Sequence, residues 1–266
     1  GLSARLPSRL DWAAARALLE RDGRPGDAVA LAPAWAERAR AVVPAAVPIV
    51  ARTGRGEDLL GVRRVWLLSL SRAPGYDWQT ELALVSRAAR STPAQRLGAI
   101  EVTRHDLAYP TLPLAFLPDW LAQAEVTLGG VACAGGGGGF TCGGPDPIRV
   151  ERTVREVAGA PRPCLTASIT APADAPLAIA FPGVPVGRVV RGHAGAVGRG
   201  NALPAPVRIA VRIDGEEAGA AELAGPGFAP FEIDTGHLAG RLHTVTLVLT
   251  SPGAPGTLCL DAVTLP

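Results

Sequence analysis

Val207-Arg-Ile-Ala-Val-Arg-Ile-Asp-Gly215 is the stretch that decides the fold of the second half of the chain. Its branched aliphatic side chains occupy every second position from Val207 to Ile213, which is the pattern of a strand with one buried face. Asp214-Gly215 follows at once and is a preferred dipeptide for a tight turn between antiparallel strands. A second alternating run at 244–250 and an apolar run at 257–263 close the chain. Together these segments predict an antiparallel sheet that extends almost to the C-terminus.

Short strand-like segments also recur before this sheet, and proline and glycine separate them. They lie at 150–157, 164–170, 177–181 and 188–191. Evenly spaced short strands with almost no helical periodicity are typical of a β-sandwich or a jelly roll. Residues 120–266 are therefore predicted to form an all-β domain, a jelly-roll β-sandwich of about eight strands.

In the first half of the chain, helical and strand-like segments alternate. Strands are expected at 28–31, 47–51, 64–70 and 98–102, and helices at 11–22, 33–43 and 77–90. Asp11 is the candidate N-cap of the first helix, and Gly23 follows its last residue. This alternation predicts βαβ units and a mainly parallel sheet. Residues 1–119 are thus predicted to form a small Rossmann-like α/β layer, with prolines 110, 113 and 118 marking the domain boundary.

Cys133, Cys142, Cys164 and Cys259 all fall in the β-rich half. An even number of cysteines there favours disulfides and an oxidising compartment, periplasmic or extracellular. Among the possible pairings, we favour Cys133 with Cys142, which closes a short loop, and Cys164 with Cys259, which ties an early strand to the last one. Free buried thiols are an alternative. A zinc site would need a Cys-x-x-Cys pair or a histidine near the cysteines in sequence, and neither is present.

Composition excludes some partners and leaves others open. A net charge of +2 over 266 residues gives no electrostatic reason to expect nucleic-acid binding. No apolar run approaches the roughly 18 residues that a membrane-spanning helix requires. The sequence contains no methionine, so Gly1 is expected to begin a piece of a longer protein.

Catalytic signatures are absent from the sequence. There is no Gly-x-Ser-x-Gly elbow and no His-Glu-x-x-His pair, and no Gly-x-Gly-x-x-Gly follows a candidate strand in the first half. A hydrolase would have to bring Asp27, Glu57, Asp58 and His105 into one cleft. The chain is therefore not expected to be catalytic by itself.

Loop composition gives little indication of a cofactor. The glycine run 135–139 lacks the Lys-Ser/Thr of a phosphate loop and is expected to be a flexible loop tip. Jelly rolls often hold a structural calcium ion with loop carboxylates. Calcium is accordingly the one cofactor considered, without a defined set of ligands.

The segment Arg191-Gly-His-Ala-Gly-Ala-Val-Gly-Arg-Gly-Asn201 is the candidate ligand-binding loop. Arg191, His193, Arg199 and Asn201 supply planar hydrogen-bonding groups of the kind that recognise sugars, usually beside an aromatic platform. The nearest aromatic residues in sequence, Phe228 and Phe231, are both candidates for the core. A plain connection between two strands is the alternative.

Two groups of segments resemble known families. Pro25-Gly-Asp-Ala-Val-Ala-Leu31 and Arg63-Arg-Val-Trp-Leu-Leu68 resemble the soluble extracytoplasmic region after the last membrane helix of bacterial polytopic glycosyltransferases of the dolichyl-phosphate-mannose type. Val207–Gly215, Phe231-Glu-Ile-Asp-Thr235 and Cys259-Leu-Asp-Ala262 resemble a galactose-binding-like jelly roll. The first resemblance implies an accessory part tethered to a membrane-embedded remainder of the same chain, with no catalytic residue.

These observations lead to a main hypothesis with two alternatives. The main one is a non-catalytic extracytoplasmic fragment of a membrane glycosyltransferase, which binds or positions a glycan acceptor or acts as a scaffold. One alternative is a secreted hydrolase with an accessory carbohydrate-binding jelly roll. The other is a structural or adhesive surface protein.

Overall fold

The computed structural model describes most of the chain as two compact units, Gly1–Leu112 and Pro113–Pro266. The described residues are 6–33, 39, 41–44, 47–50, 59–73, 76, 78–143, 147–168, 175–198, 202–252 and 256–266, without the side chains of residues 160, 168 and 204. No helix among them is long and apolar enough to cross a lipid bilayer.

In its described residues, the first unit is a mixed sheet with two α-helices. The helices are α1 (Arg9–Asp22) and α2 (Trp78–Arg87), and the strands are β1 (Asp27–Ala32), β2 (Ile49–Val50), β3 (Arg64–Ser69), β4 (Ala88–Ser91), β5 (Gln95–Leu97) and β6 (Ile100–Leu107). Their order in the sheet is β2-β1-β3-β6-β4, and β5 also pairs with β6. Strands β2, β1 and β3 are parallel to one another, whereas β6 is antiparallel to β3.

A Rossmann-like layer is not what this sheet shows. The predicted strand at 98–102 extends to residue 107 and pairs antiparallel to β3, because β4 and β5 precede it as hairpin partners instead of a crossover helix. Helix α1 begins earlier than expected, since Ser8 is its N-cap and Asp11 completes a capping box with Ser8. The helix predicted at 33–43 falls largely outside the described residues.

The second unit contains the remaining strands. They are β7 (Ala115–Phe116), β8 (Glu125–Leu128), β9 (Val131–Ala132), β10 (Ala134–Gly136), β11 (Gly139–Cys142), β12 (Ile148–Val157), β13 (Ala160–Ser168), β14 (Leu177–Val186), β15 (Val189–Ala196), β16 (Ala202–Ile213), β17 (Glu216–Pro226), β18 (Ala229–Asp234), β19 (Arg241–Thr250) and β20 (Thr257–Leu265). Short 3₁₀ helices occupy Leu117–Gln123 and Gly236–Leu238.

These strands form a sandwich of two sheets. Within the described ranges, the larger sheet has the order β10-β11-β12-β13-β20-β15-β18, and β7 also pairs with β20. The smaller sheet has the order β17-β16-β19-β14-β8-β9. From β13 to β16 the chain alternates between the sheets, and the last strand lies between β13 and β15. This winding is that of a jelly roll, so the predicted β-sandwich is confirmed, but its sheets, over the described residues, have eight and six strands instead of about eight in all.

One hydrophobic core fills the space between the two sheets. Phe181 and Ile209 of the smaller sheet and Leu260 of the larger sheet are at most 1% exposed within it. Asp214 and Gly215 have positive φ angles of 51° and 92° and join β16 to β17, as the predicted tight turn requires. The run at 244–250 is β19, which pairs with the other side of β16.

The glycine run forms a β-hairpin, and the four cysteines form two disulfides. Residues 135–139, predicted to be a flexible tip, form the hairpin of β10 and β11, with Gly137 and Gly138 at positive φ in the turn. Disulfides join Cys133 to Cys142 and Cys164 to Cys259, which are the two pairings favoured from the sequence. These bonds fit an extracellular or periplasmic compartment.

Candidate functional site

Strand β15 places Arg191 and His193 on the outer face of the larger sheet. Successive side chains of a strand point to opposite faces. Ala194 is buried in the core, and a Cβ atom on Gly192 would lie 2.4 Å from the core ring of Phe231. Arg191 and His193 therefore point away from the core. Residues 191–196 of the segment predicted to be a loop thus belong to strand β15.

His193 is held by Asp261 of the neighbouring strand β20. The two residues are partners in the ladder, and Asp261 Oδ1 accepts hydrogen bonds from the His193 backbone N at 2.8 Å and from Nδ1 at 3.0 Å. The His193 side chain is 6% exposed and that of Asp261 is 21% exposed. Because the carboxylate can only accept, Nδ1 carries the hydrogen, and Nε2 is the acceptor of the neutral ring.

Phe228 supplies the aromatic ring that the sequence alone did not locate. Its ring stacks on His193 with centroids 5.2 Å apart and an interplanar angle of 20°. The Arg162 guanidinium carbon lies 5.3 Å from the centre of the same ring. Phe231, by contrast, is 4% exposed and belongs to the main core. Phe228 is only partly buried and lies in a separate small cluster.

Arg191 lies at the more exposed end of this group. Its Nη2 is 2.8 Å from Oε2 of Glu232 on β18, and the two side chains are 40% and 54% exposed. A surface pair of this kind is worth about 0–1 kcal/mol, so a ligand can compete for either partner at low cost. We call the six residues the His193 cluster: Arg162, Arg191, His193, Phe228, Glu232 and Asp261.

Two of the four residues predicted to bind a ligand belong to this cluster. Arg191 and His193 do lie together, whereas Arg199 and Asn201 lie outside the described residues. Asp261 is 68 residues from His193 along the chain, so only the strand pairing brings it near. The one available signal was its position between Leu260 and Ala262, where alternation predicts an outward-facing acid.

Asp27 and His105, the two members of the candidate hydrolase group that the structure describes, are not brought together. Asp27 packs on the face of the first sheet that carries Trp66, whose Nε1 donates to Asp27 Oδ2 at 2.7 Å. His105 is buried in the same sheet and is paired in register with Val65, a residue of the opposite core cluster. The two side chains are therefore on opposite faces of one sheet. Glu57 and Asp58 lie outside the described residues.

A metal ion has no defined site in the part of the chain that the structure describes. No three His, Cys, Asp or Glu side chains converge there. The calcium ion considered from the sequence stays a prediction without ligands.

Comparison with known proteins finds structural likeness only. No family model and no curated protein sequence matches the chain. Among solved structures, the chain is similar to the family 51 carbohydrate-binding module from Clostridium perfringens, which was solved in complex with methyl-galactose. The two are 14% identical, the match covers 53% of this chain and 99% of that chain, and the TM-score is 0.30.

Two further solved structures are carbohydrate-binding modules as well. The xylan-binding domain of family 22 from Paenibacillus barcinonensis is 16% identical over 53% of this chain and 92% of that chain, with a TM-score of 0.32. A family 28 module specific for non-crystalline cellulose is 13% identical over 43% and 79%, also with a TM-score of 0.32. At such scores the likeness assigns neither fold nor function, and the jelly roll rests on the strand order given above.

Proposed function

We propose that the second unit is a non-catalytic carbohydrate-binding module whose site is the His193 cluster. The observation that supports this proposal most directly is the half-buried Phe228 ring outside the main core, which lies against the imidazole of His193 and the guanidinium of Arg162. A sugar ring offers apolar C–H faces together with pairs of hydroxyl groups. An aromatic ring suits the former, and planar bidentate groups suit the latter.

The buried and the exposed members of the His193 cluster are suited to different roles in binding a glycan. His193 and Asp261 hold each other in fixed orientations, so they can bind hydroxyl groups with little further loss of conformational freedom. Arg191 and Glu232 are more exposed and can exchange their ion pair for hydrogen bonds to a ligand. The cluster thus combines a preorganised inner pair with an adaptable outer pair.

An accessory role follows from this proposal. The sequence lacks catalytic motifs, so the unit would hold a glycan for a catalytic part elsewhere in a larger extracytoplasmic protein. A module with this one task fits either a secreted hydrolase or a membrane glycosyltransferase as the parent protein. A purely structural scaffold is the competing function, and it requires no glycan affinity.

A glycan array followed by calorimetry tests the proposal. Arg191→Ala should weaken binding of any glycan found by about tenfold or more, because a hydrogen bond to a charged group contributes about 1.5–3 kcal/mol. Arg241→Ala is the matched control, since Arg241 is an exposed arginine of the smaller sheet. The proposal is wrong if no glycan on the array binds, or if the two variants bind equally well.

A further inference from the structure

The hairpin of β12 and β13 departs from the larger sheet over half of its length. The pairing of β12 with β13 continues to Val157 and Ala160 at the tip, whereas β13 pairs with β20 only from Leu165 to Ser168. If the hairpin stayed in the sheet, the register would put Ala160 opposite Leu265. Val157 instead forms a bridge with Gly198. Gly198 follows the end of β15 that pairs with the start of β20, at Leu258.

This bridge requires residues 153–164 to fold across the outer face of the sheet. We call these residues the crossing hairpin. At its tip Val157 is fully buried, and Gly198 N donates to the carbonyl oxygen of Glu156 at 2.7 Å. A Cβ atom on Gly195 would lie 2.9 Å from Cγ1 of Val157, so the tip approaches β15 closely where a glycine leaves room.

The crossing hairpin carries one member of the His193 cluster, Arg162, and covers another, Phe228, together with a disulfide. Arg162, a residue of the hairpin, lies over Phe228, and His193 beneath is 5% exposed. Cys164 and Cys259 share a small apolar cluster with Val157, with Val197 and Phe228 packed against it, and both cysteines are 0% exposed. Because their disulfide lies on the outer face, the hairpin tip contributes to shielding it from solvent.

We infer that the crossing hairpin is a lid, which opens about the Cys164–Cys259 bond and controls access to His193 and Asp261. A small apolar cluster and the backbone bridge to Gly198 hold its tip, whereas the much larger main core lies between the two sheets. Segments with few buried apolar contacts open at a lower free-energy cost than the whole domain unfolds. The disulfide anchors the base of the lid to β20, so opening moves the tip and leaves the sheet intact.

The gating role rests on the proposed function, but the opening itself can be measured without a ligand. Opening the lid exposes the Cys164–Cys259 disulfide to an added dithiol such as dithiothreitol. The rate of its reduction in the native protein then reports the open fraction. Cys133–Cys142 is an internal control, because it joins residues at the β10–β11 hairpin, outside the cluster that the lid covers.

Val157→Ala and Val154→Ala form a matched pair for this assay. Both remove the same atoms from the same strand, but Val157 is fully buried and Val154 is 58% exposed. Removing two buried carbon atoms should favour the open state about tenfold. We expect Cys164–Cys259 to be reduced about tenfold faster in Val157→Ala, with Cys133–Cys142 unchanged, and Val154→Ala to resemble the wild type.

Each outcome is decisive for the lid. Equal reduction rates in Val157→Ala and the wild type would overturn it, and so would equal acceleration of both disulfides, which indicates global unfolding. Amide hydrogen exchange gives a second readout, in which Val157→Ala should speed exchange at 153–164 and leave the remainder of the larger sheet unchanged. A glycan array without hits would refute the proposed function alone, since the reduction assay needs no glycan.

Discussion

At the scale of single residues, Asp27 shows how a carboxylate that looks catalytic in sequence is committed to structure. Its oxygens accept two hydrogen bonds of 2.7 Å from Arg64, one of 2.7 Å from Trp66 and one of 3.0 Å from the backbone N of Arg24. Burial alone would raise the pKa of Asp27, but the hydrogen bonds from Arg64, Trp66 and Arg24 outweigh it and lower that pKa. Asp27 therefore stays ionised near neutral pH and cannot donate a proton there.

His105 makes the stability of the first unit depend on pH. Burial lowers its pKa below the ordinary value of 6.5, although Glu81 and Asp106 act in the opposite direction. Its Nδ1 is 2.8 Å from the hydroxyl of Ser91, and its buried Nε2 has no partner among the described residues. Below about pH 6.5 the unfolded chain takes up a proton that the folded chain resists, so the free energy of unfolding falls as the pH drops.

The His105→Gln variant should remove this dependence. We expect urea unfolding, followed by tryptophan fluorescence at pH 7 and pH 5, to show a lower stability at pH 5 for the wild type and a smaller difference for the variant. Asp27 does not interfere, because its pKa is lowered from the ordinary value of 3.8. The stability that its ionised form contributes is therefore lost only at a pH below about 4. His237→Gln, which changes an exposed histidine, should behave like the wild type. Equal pH dependence in all three proteins would contradict the assignment to His105.

At the scale of elements, the turn between β16 and β17 depends on the backbone more than on packing. Gly215 has a φ of 92°, and a Cβ atom there would meet nothing within 4 Å. Gly215→Ala should therefore destabilise the second unit by about 1 kcal/mol through conformational strain alone. Gly136→Ala is the control, because that position is equally open but has no positive φ. Thermal unfolding followed by circular dichroism measures the difference, and equal midpoints would refute the strain argument.

The same turn shows which elements the sequence could predict. Alternation and an Asp-Gly dipeptide predict β16 correctly because they are local signals. Strand β17 was missed, since Glu216-Glu-Ala-Gly-Ala-Ala221 has no alternation of large apolar side chains. The segment is a strand because its backbone pairs with β16. Its own side-chain pattern does not indicate that pairing.

At the scale of the whole molecule, long-range pairing decides what sequence reasoning reached and what it missed. The direction of β6 and the position of Asp261 beside His193 both depend on strand partners far away in sequence. Phe228 and Phe231 are equally apolar, and only the opposite faces of the larger sheet distinguish the core ring from the ring beside His193. Local composition predicts elements and the classes of side chain in a site, whereas topology decides which of them meet.

The distribution of covalent links gives a last prediction about the two units. Both disulfides lie in the second unit, and they span 9 and 95 residues. Their loss should cost about 2–3 and 4–5 kcal/mol respectively, because a longer closed loop restricts the unfolded chain more. Four of the five tryptophans are in the first half, at positions 12, 35, 66 and 78, so tryptophan fluorescence reports mainly on the first unit.

Reduction should therefore separate two unfolding signals. With excess dithiothreitol, the urea midpoint of the second unit, followed by hydrogen exchange of the strand amides of the sandwich, should fall. The midpoint seen by tryptophan fluorescence should change little. Replacing Cys164 and Cys259 by alanine should reproduce most of the shift, and replacing Cys133 and Cys142 a smaller part, since the shorter loop constrains fewer residues. Parallel shifts of both signals would show that the stability of the first unit depends on the disulfides of the second.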